Sequence, residues 1–210
     1  MKRMLLLLVA LSLPSVVMAQ ATLTLDDFNL GSEDKASGSS EMENCLLNQN
    51  NCQNSEFKSS TSFSIDDVVN LGIIDREEVK KTSQGSGAAS QTASTLPSID
   101  MEILFDYNSA ELRPDQKPKL AKLSEILKGA NFKDFRFLLL GHTDAKGSHD
   151  YNRVLSENRA RAVADFVRST GSIPASKVLV SGMGASKLKN LVDPFSAQNR
   201  RVQLVLVPVN

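Results

Sequence analysis

The run FRFLLLG at residues 135–141 constrains this chain more than any other feature. It is apolar on both faces for most of its length, as expected of a central strand. Flanking patterns predict its partners. Ile99, Met101, Ile103 and Phe105 alternate with Asp100, Glu102 and Leu104, the signature of a half-buried strand, and KVLVSG (177–182) and RVQLVLV (201–207) read as two more. Leu112, Leu120, Leu123, Ile126 and Leu127 recur at spacings of three and four and stop at Gly129, which predicts a helix. An interior proline costs about 3 kcal/mol, so regular helix should begin at Pro118, after a turn over 109–114. A second helix is expected over 151–169, capped by Ser148 or Asp150. Strand, helix, strand, helix, strand, strand with one sheet face covered is an α+β two-layer sandwich.

The residues before Pro97 are of a different kind. MKRMLLLLVALSLPSVVMAQ has the basic start, short apolar run and small-residue finish of a secretory signal peptide, so residues 1–19 should be cleaved after Ala19. The next residue is Gln20, which cannot receive a lipid as a cysteine would, and the mature chain should carry no membrane span. Residues 20–98 hold 5 basic and 12 acidic residues against 17 and 12 in 99–210, giving −7 beside +5. A mildly basic exported domain suits an anionic envelope polymer, while the absence of a Lys/Arg stripe interleaved with aromatics argues against nucleic acid. Residues 20–81 read as an acidic, mostly disordered segment with a short helix near 64–81 started by Ser64 and interrupted by Gly72, and 82–97 as a flexible linker. Cys45 and Cys52 in NCLLNQNNC should form a disulfide in an oxidising compartment. A transmembrane barrel of eight strands of about ten residues plus turns does not fit into the 79 residues of 20–98.

Two features of residues 142–159 point to a site. His142, Thr143 and Asp144 stand where the central strand runs out into a loop, a common place for binding groups. Arg159 falls within the apolar stripe set by Tyr151, Leu155, Ala162, Val163 and Phe166, and a buried guanidinium calls for an anion. Spacing allows two readings: a structural ion pair of Arg159 with Asp144 or Asp106, or a ligand site in which Asp144 takes an ammonium and Arg159 a carboxylate.

The segments ILFDYNSAELRP, LLLGHTDAKGSHDYNRVLSENRARAVADFV, GMG and NRRVQLVLV resemble, in order and spacing, the OmpA-like C-terminal domain family, which also occurs in peptidoglycan-associated lipoproteins and the flagellar stator subunit MotB. The resemblance spans about 110 residues, 98–210, in a soluble exported chain without the OmpA barrel. It implies a small mixed sheet backed by helices and non-catalytic binding of peptidoglycan through the diaminopimelate residue of its stem peptides. Asp144 stands at the family's H-T-D aspartate and Arg159 at its L-S-x-x-R arginine. Phe105, Asp106, Thr143, Asn152, Leu155 and Arg200 match the rest of the pocket lining, with Asn199 and Arg201 supporting the final strand. The sequence departs from the family at Pro118 and in the loop 187–198, which is shorter and less Gly-rich.

No cofactor or metal is implied. The expected location is the periplasm at the cell wall, and docking to the outer membrane stays open. Two rival readings remain: an envelope adaptor whose N-terminal segment binds another protein, and a metal-dependent cell-wall hydrolase built on His142, Asp144, His149 and Asp150. The hydrolase reading lacks a third histidine, a G-x-S-x-G motif and a reactive cysteine in the domain.

Overall fold

The computed structural model describes residues 41–79, 95–106 and 108–209; the signal peptide expected over 1–19 and most of the linker expected over 82–97 lie outside the described residues. Four strands, β1 (Ser98–Met101), β2 (Phe135–His142), β3 (Val178–Gly184) and β4 (Val202–Pro208), form one sheet in the order β1-β4-β2-β3. β4 runs antiparallel to β1 and β2, and β2 runs parallel to β3, so the sheet is mixed. The doubly apolar β2 lies inside it, beside the buried β4. Among the described residues four helices accompany the sheet: α1, described over 41–47, α2 (Ile65–Asn70), α3 (Lys117–Leu127) and α4 (His149–Gly171).

The element boundaries follow local chemistry. α3 starts at Lys117 after a 3-10 turn over Pro114–Gln116, because Pro118 in its first turn needs no amide partner. Ser148 caps α4, its hydroxyl accepting the Tyr151 amide at 3.3 Å. Ser64 and Asp67 close a capping box on α2, which ends before Gly72 at φ +67.

Alternation in the strands sorts their side chains onto two faces. Ile99, Met101, Phe137, Leu139, Val202, Leu204 and Leu206 pack with α3, α4 and α1, completing the α+β arrangement of a sheet backed by helices. Leu138, Leu140, Val205 and Val207 point the other way and are covered by Phe63, Val68, Ile74, Val79 and Leu96. The second apolar face of FRFLLLG therefore has its cover within the chain itself.

That cover is the main departure from the sequence reading, which places 41–79 in a mostly disordered segment. Met42, Cys45, Leu46 and Phe57 are buried in the helical core, and Cys45 is disulfide-bonded to Cys52. Residues 57–64 lie along the open edge of β1. The Asp100 amide donates to the Phe57 carbonyl at 3.2 Å, the Leu96 amide donates to the Phe63 carbonyl at 2.7 Å, and Lys58 and Ser64 bridge to Ile99 and Thr95. An open strand edge is a template for unwanted pairing, and this segment closes it. Its apolar residues insert one at a time at irregular spacing, so no period in the sequence reveals them.

Asp100 is likewise not the solvent-facing residue of a half-buried strand. All four residues of β1 are buried. Asp100 lies 3.3 Å from Lys189 and 3.3 Å from Arg201, and accepts from the amide and hydroxyl of Ser60 at 3.3 and 3.2 Å. Gln203 beside it donates to Ser59 Oγ (2.6 Å) and to the Thr61 carbonyl (2.7 Å). Arg201 and Asp100 are each only 1% exposed as side chains, a placement that unpaired charges would not survive.

Two outcomes are expected. Shortening the chain to 95–210 should strip the cover from Leu138, Leu140, Val205 and Val207 and lower the melting temperature by at least about 10 °C, or abolish cooperative melting, in calorimetry against the full chain. Replacing Cys45 and Cys52 together by Ser opens a short loop and should cost about 2 kcal/mol in denaturant titration.

Candidate functional site

The backbone of α4 lies almost against the backbones of β2 and β3. A Cβ on Gly141 would stand 1.9 Å from the Ser156 carbonyl oxygen, and one on Gly182 would stand 2.3 Å from that of Arg153. Only glycine allows that approach. The Gly184 amide seals it by donating to Ser156 Oγ at 2.9 Å. Asn152, Ser156, Ala160, Val163, Ala164 and Val167 consequently form the buried face of α4 together with Arg159, while Tyr151, placed in the apolar stripe by spacing, is 47% exposed.

At the C-terminal end of β2 the chain enters the loop 143–148. The Thr143 amide donates to the Gly184 carbonyl at 2.9 Å and the Ala145 amide to the Pro194 carbonyl at 3.0 Å. Asp144 Oδ1 accepts the Lys146 amide at 3.0 Å, folding the loop onto its own carboxylate. Buried Asn152 reaches from α4 with its amide, donating to the carbonyls of Asp144 (3.4 Å) and Lys146 (3.1 Å). Below the loop, His142 is 1% exposed, its ring set against the Gln203 side chain and the Lys187 backbone. Burial, reinforced by the Arg201 charge, pushes its imidazole from 6.5 down to about 3.

This geometry opens a cleft of about 490 Å³ between the loop, α4 and the segment after β1. Phe105, Asp106, Thr143, Asp144, Asn152, Leu155, Arg159 and Arg200 all line it. The charges are not partnered as spacing alone suggests. Asp144 Oδ2 takes Arg200 Nη1 at 2.9 Å, and Asp106 faces the exposed Arg113 at 3.4 Å. Arg159 has no carboxylate within ion-pair distance among the described residues. Its Nε donates to the Ser109 carbonyl at 3.1 Å, and its guanidinium carbon lies 5.0 Å from the centre of the Phe105 ring. Burial pushes this guanidinium below its ordinary value; Tyr151 and Asp144 oppose that push and Arg200 adds to it. The structural ion pair of Arg159 with Asp144 or Asp106 is therefore absent, because Arg200 and Arg113 reach those carboxylates from outside.

Asn108, Lys146, Gly147 and Tyr151 also line the cleft, and the sequence alone does not single them out as site residues. Tyr151 Oη donates to Asn108 Oδ1 at 2.6 Å across its mouth, and Asn108 holds φ +54, which Asn tolerates better than most residues. The available signal is helical spacing: Tyr151, Leu155 and Arg159 follow one another at four. The hydrolase set is not brought together. His142 is buried under the loop, while His149 and Asp150 sit on the exposed first turn of α4, with side chains 75% and 94% exposed.

The domain is thus a mixed sheet backed by helices, with an acid and a buried arginine facing one cleft at the end of a central strand. Residues 104–201 match the model of the OmpA family. Outer membrane protein A of Escherichia fergusonii is 41% identical over 88 residues, covering 42% of this chain and 36% of that protein. The chain thus spans little more than a third of that relative's length. Similar solved structures include the OmpA-like domain of FopA1 from Francisella tularensis (24% identity, 55% of this chain and 75% of that one, TM-score 0.45). Another is the peptidoglycan-associated lipoprotein of Burkholderia pseudomallei (26% identity, 50% and 87%, TM-score 0.43).

The neutral His142 couples the loop to pH. An unfolded histidine takes up a proton near pH 6.5, whereas the folded one resists until about 3. Its contribution to stability is complete above 6.5 and is lost as pH falls through that window. Denaturant midpoints should fall between pH 7 and pH 4, at a slope of up to about 1.4 kcal/mol per pH unit from this group. The His142→Gln variant should lack that component.

Proposed function

We propose that the cleft binds peptidoglycan in the periplasm, without catalysis, by holding the diaminopimelate residue of a stem peptide, so that the chain is tethered to the cell wall. The observation that carries this reading is the charge arrangement: a buried arginine with no carboxylate in ion-pair range among the described residues lies in the same cleft as an acid, Asp144, held only by a partly exposed Arg200. Arg159 has lost most of its hydration and received one carbonyl and one ring in exchange. A ligand carboxylate restores what burial removed, through a charge-assisted bond.

Asp144 supplies the opposite charge. Its bond to Arg200 is partly open to water, with side chains 16% and 43% exposed, so it is worth no more than about 1 kcal/mol. An incoming ammonium can take its place or join it, and Arg200 is then free to turn toward the carboxylate beside Arg159. The free end of diaminopimelate carries an ammonium and a carboxylate on one carbon, and a fixed acid and arginine in one cleft read both at once. A stem peptide with lysine in that position lacks the carboxylate and leaves Arg159 unpaired, which is how the cleft rejects it. Phe105, Leu155 and Asp106 form the wall, while Thr143 and Asn152 hold the loop that carries Asp144. No described helix is long and apolar enough to cross a membrane. Residues 41–79 place their apolar side chains on the chain's own sheet, which favours a tether over a segment kept free for a second protein.

Asp144→Ala and Arg159→Ala should each weaken binding of a disaccharide tetrapeptide containing diaminopimelate by at least about 30-fold in calorimetry, since a charge-assisted contact in such a site contributes about 2 kcal/mol or more. Both variants should melt cooperatively, because Arg159 leaves no carboxylate stranded when it is removed. Wild-type affinity in both folded variants would overturn the site.

A further inference from the structure

The loop 185–201 between β3 and β4 presents large apolar side chains to solvent. Leu191 is 77% exposed, Val192 97% and Phe195 62%. The loop is nonetheless tightly held. Asn199, fully buried, donates to the carbonyls of Asn190, Asp193 and Pro194 at 3.2, 3.1 and 3.1 Å and accepts the Asn190 amide at 2.8 Å. Asn190 Oδ1 in turn accepts the amides of Val192 and Asp193 at 3.0 and 2.9 Å. Single exposed apolar residues are ordinary, but three on one pinned loop form a knuckle whose ordering cost is already met before anything binds.

Its attachment indicates what it meets. The Pro194 carbonyl accepts the amide of Ala145, the residue after Asp144, and Arg200, the residue after Asn199, holds the Asp144 carboxylate. Knuckle and cleft wall are one piece. Three side chains fall far short of the roughly 800 Å² per partner that a stable protein interface uses, so this surface works as an adjunct to a neighbouring site. A lipid surface calls for free cations around the apolar residues. The lysines of this loop are turned inward, Lys187 onto the Phe63 ring at 4.3 Å and Lys189 onto Asp100 at 3.3 Å.

We infer that Leu191, Val192 and Phe195 extend the cleft and receive the methyl- and C–H-bearing part of the same ligand beyond its charged end. The inference rests on the proposed peptidoglycan reading of the cleft. Alanyl methyls, acetyl methyls and the C–H faces of sugar rings all offer that chemistry. The charged pair fixes the register of the ligand, and the knuckle reads its uncharged remainder.

The test compares the full chain with its Leu191→Ser, Val192→Ser, Phe195→Ser triple variant against three ligands: free diaminopimelate, a sugar-free tetrapeptide containing it, and the disaccharide tetrapeptide. The variant should bind free diaminopimelate as the parent does and lose about tenfold in affinity for the disaccharide tetrapeptide. A loss already present with the sugar-free peptide assigns the contact to alanyl methyls; a loss only with the disaccharide assigns it to the sugars and their acetyl groups. Equal affinities of parent and variant for all three ligands, or an equal loss on all three, overturn the extension and leave the cleft standing. A parent that binds none of them overturns both. Co-sedimentation with phosphatidylglycerol vesicles that the variant loses, at unchanged affinity for the disaccharide tetrapeptide, overturns the inference in favour of lipid. Val192→Asp alone, at a side chain with nothing to support, should reproduce the direction of the effect and guard against damage to the loop.

Discussion

The backbone contact between α4 and the β2–β3 pair sets the position of almost everything else in the cleft. At Gly141 and Gly182 there is no room for even a methyl group, so the helix sits closer to the sheet than side-chain packing would allow. Asn152 and Arg159 are carried down with it. Asn152 lands beside the loop that it pins, and Arg159 lands below the surface, away from the carboxylates that long surface arginines find. The depth of the arginine is thus a property of two glycines on other elements.

The face of the sheet opposite the helices is divided along its length. Toward one end it is apolar, with Leu138, Leu140, Val205 and Val207 under Phe63, Val68, Ile74 and Val79. Toward the other it is polar, with Ser98, Asp100, His142, Arg201 and Gln203 buried and residues 59–61 supplying hydroxyl and carbonyl partners to this group. A polar group shut away from water needs specific partners, so the polar half fixes where residues 59–61 must lie while the apolar half contributes the burial. The polar half also lies directly beneath the Asp144 loop, through His142.

The four strands, α3 and α4 were legible because each has a period and a stop: the doubly apolar 135–141, the spaced leucines ending at Gly129, the serine cap before α4. The cleft lining was legible through the family resemblance, which placed eight residues that the fold gathers around one cavity. The pairing of charges was not, since sequence spacing puts Arg159 near Asp144 but carries no information about Arg200 arriving from the end of another loop 56 residues away. The cover formed by 41–79 was hidden for a related reason. Phe57, Phe63 and Val68 are isolated apolar residues among Ser, Asn and Asp, and their value comes from a sheet face that local sequence cannot see. Asp100 misled because alternation assigns a polar residue to solvent, and here its side of β1 is covered by Ser60 and held by Arg201.

The bond between Thr61 and Gln203 joins residues 142 apart in the sequence. It imposes an order in time. A chain made from its N-terminus has residues 41–79 in hand long before β4 exists, and until then they have neither the inner face of Val205 and Val207 nor the amide of Gln203 to fold against. Contacts of such long separation form late and slowly, because the closure entropy of the intervening chain is met before the contacts return anything. The contacts of Phe63 and Val68 with Val205 and Val207, and of Thr61 with Gln203, therefore wait until β4 has been made.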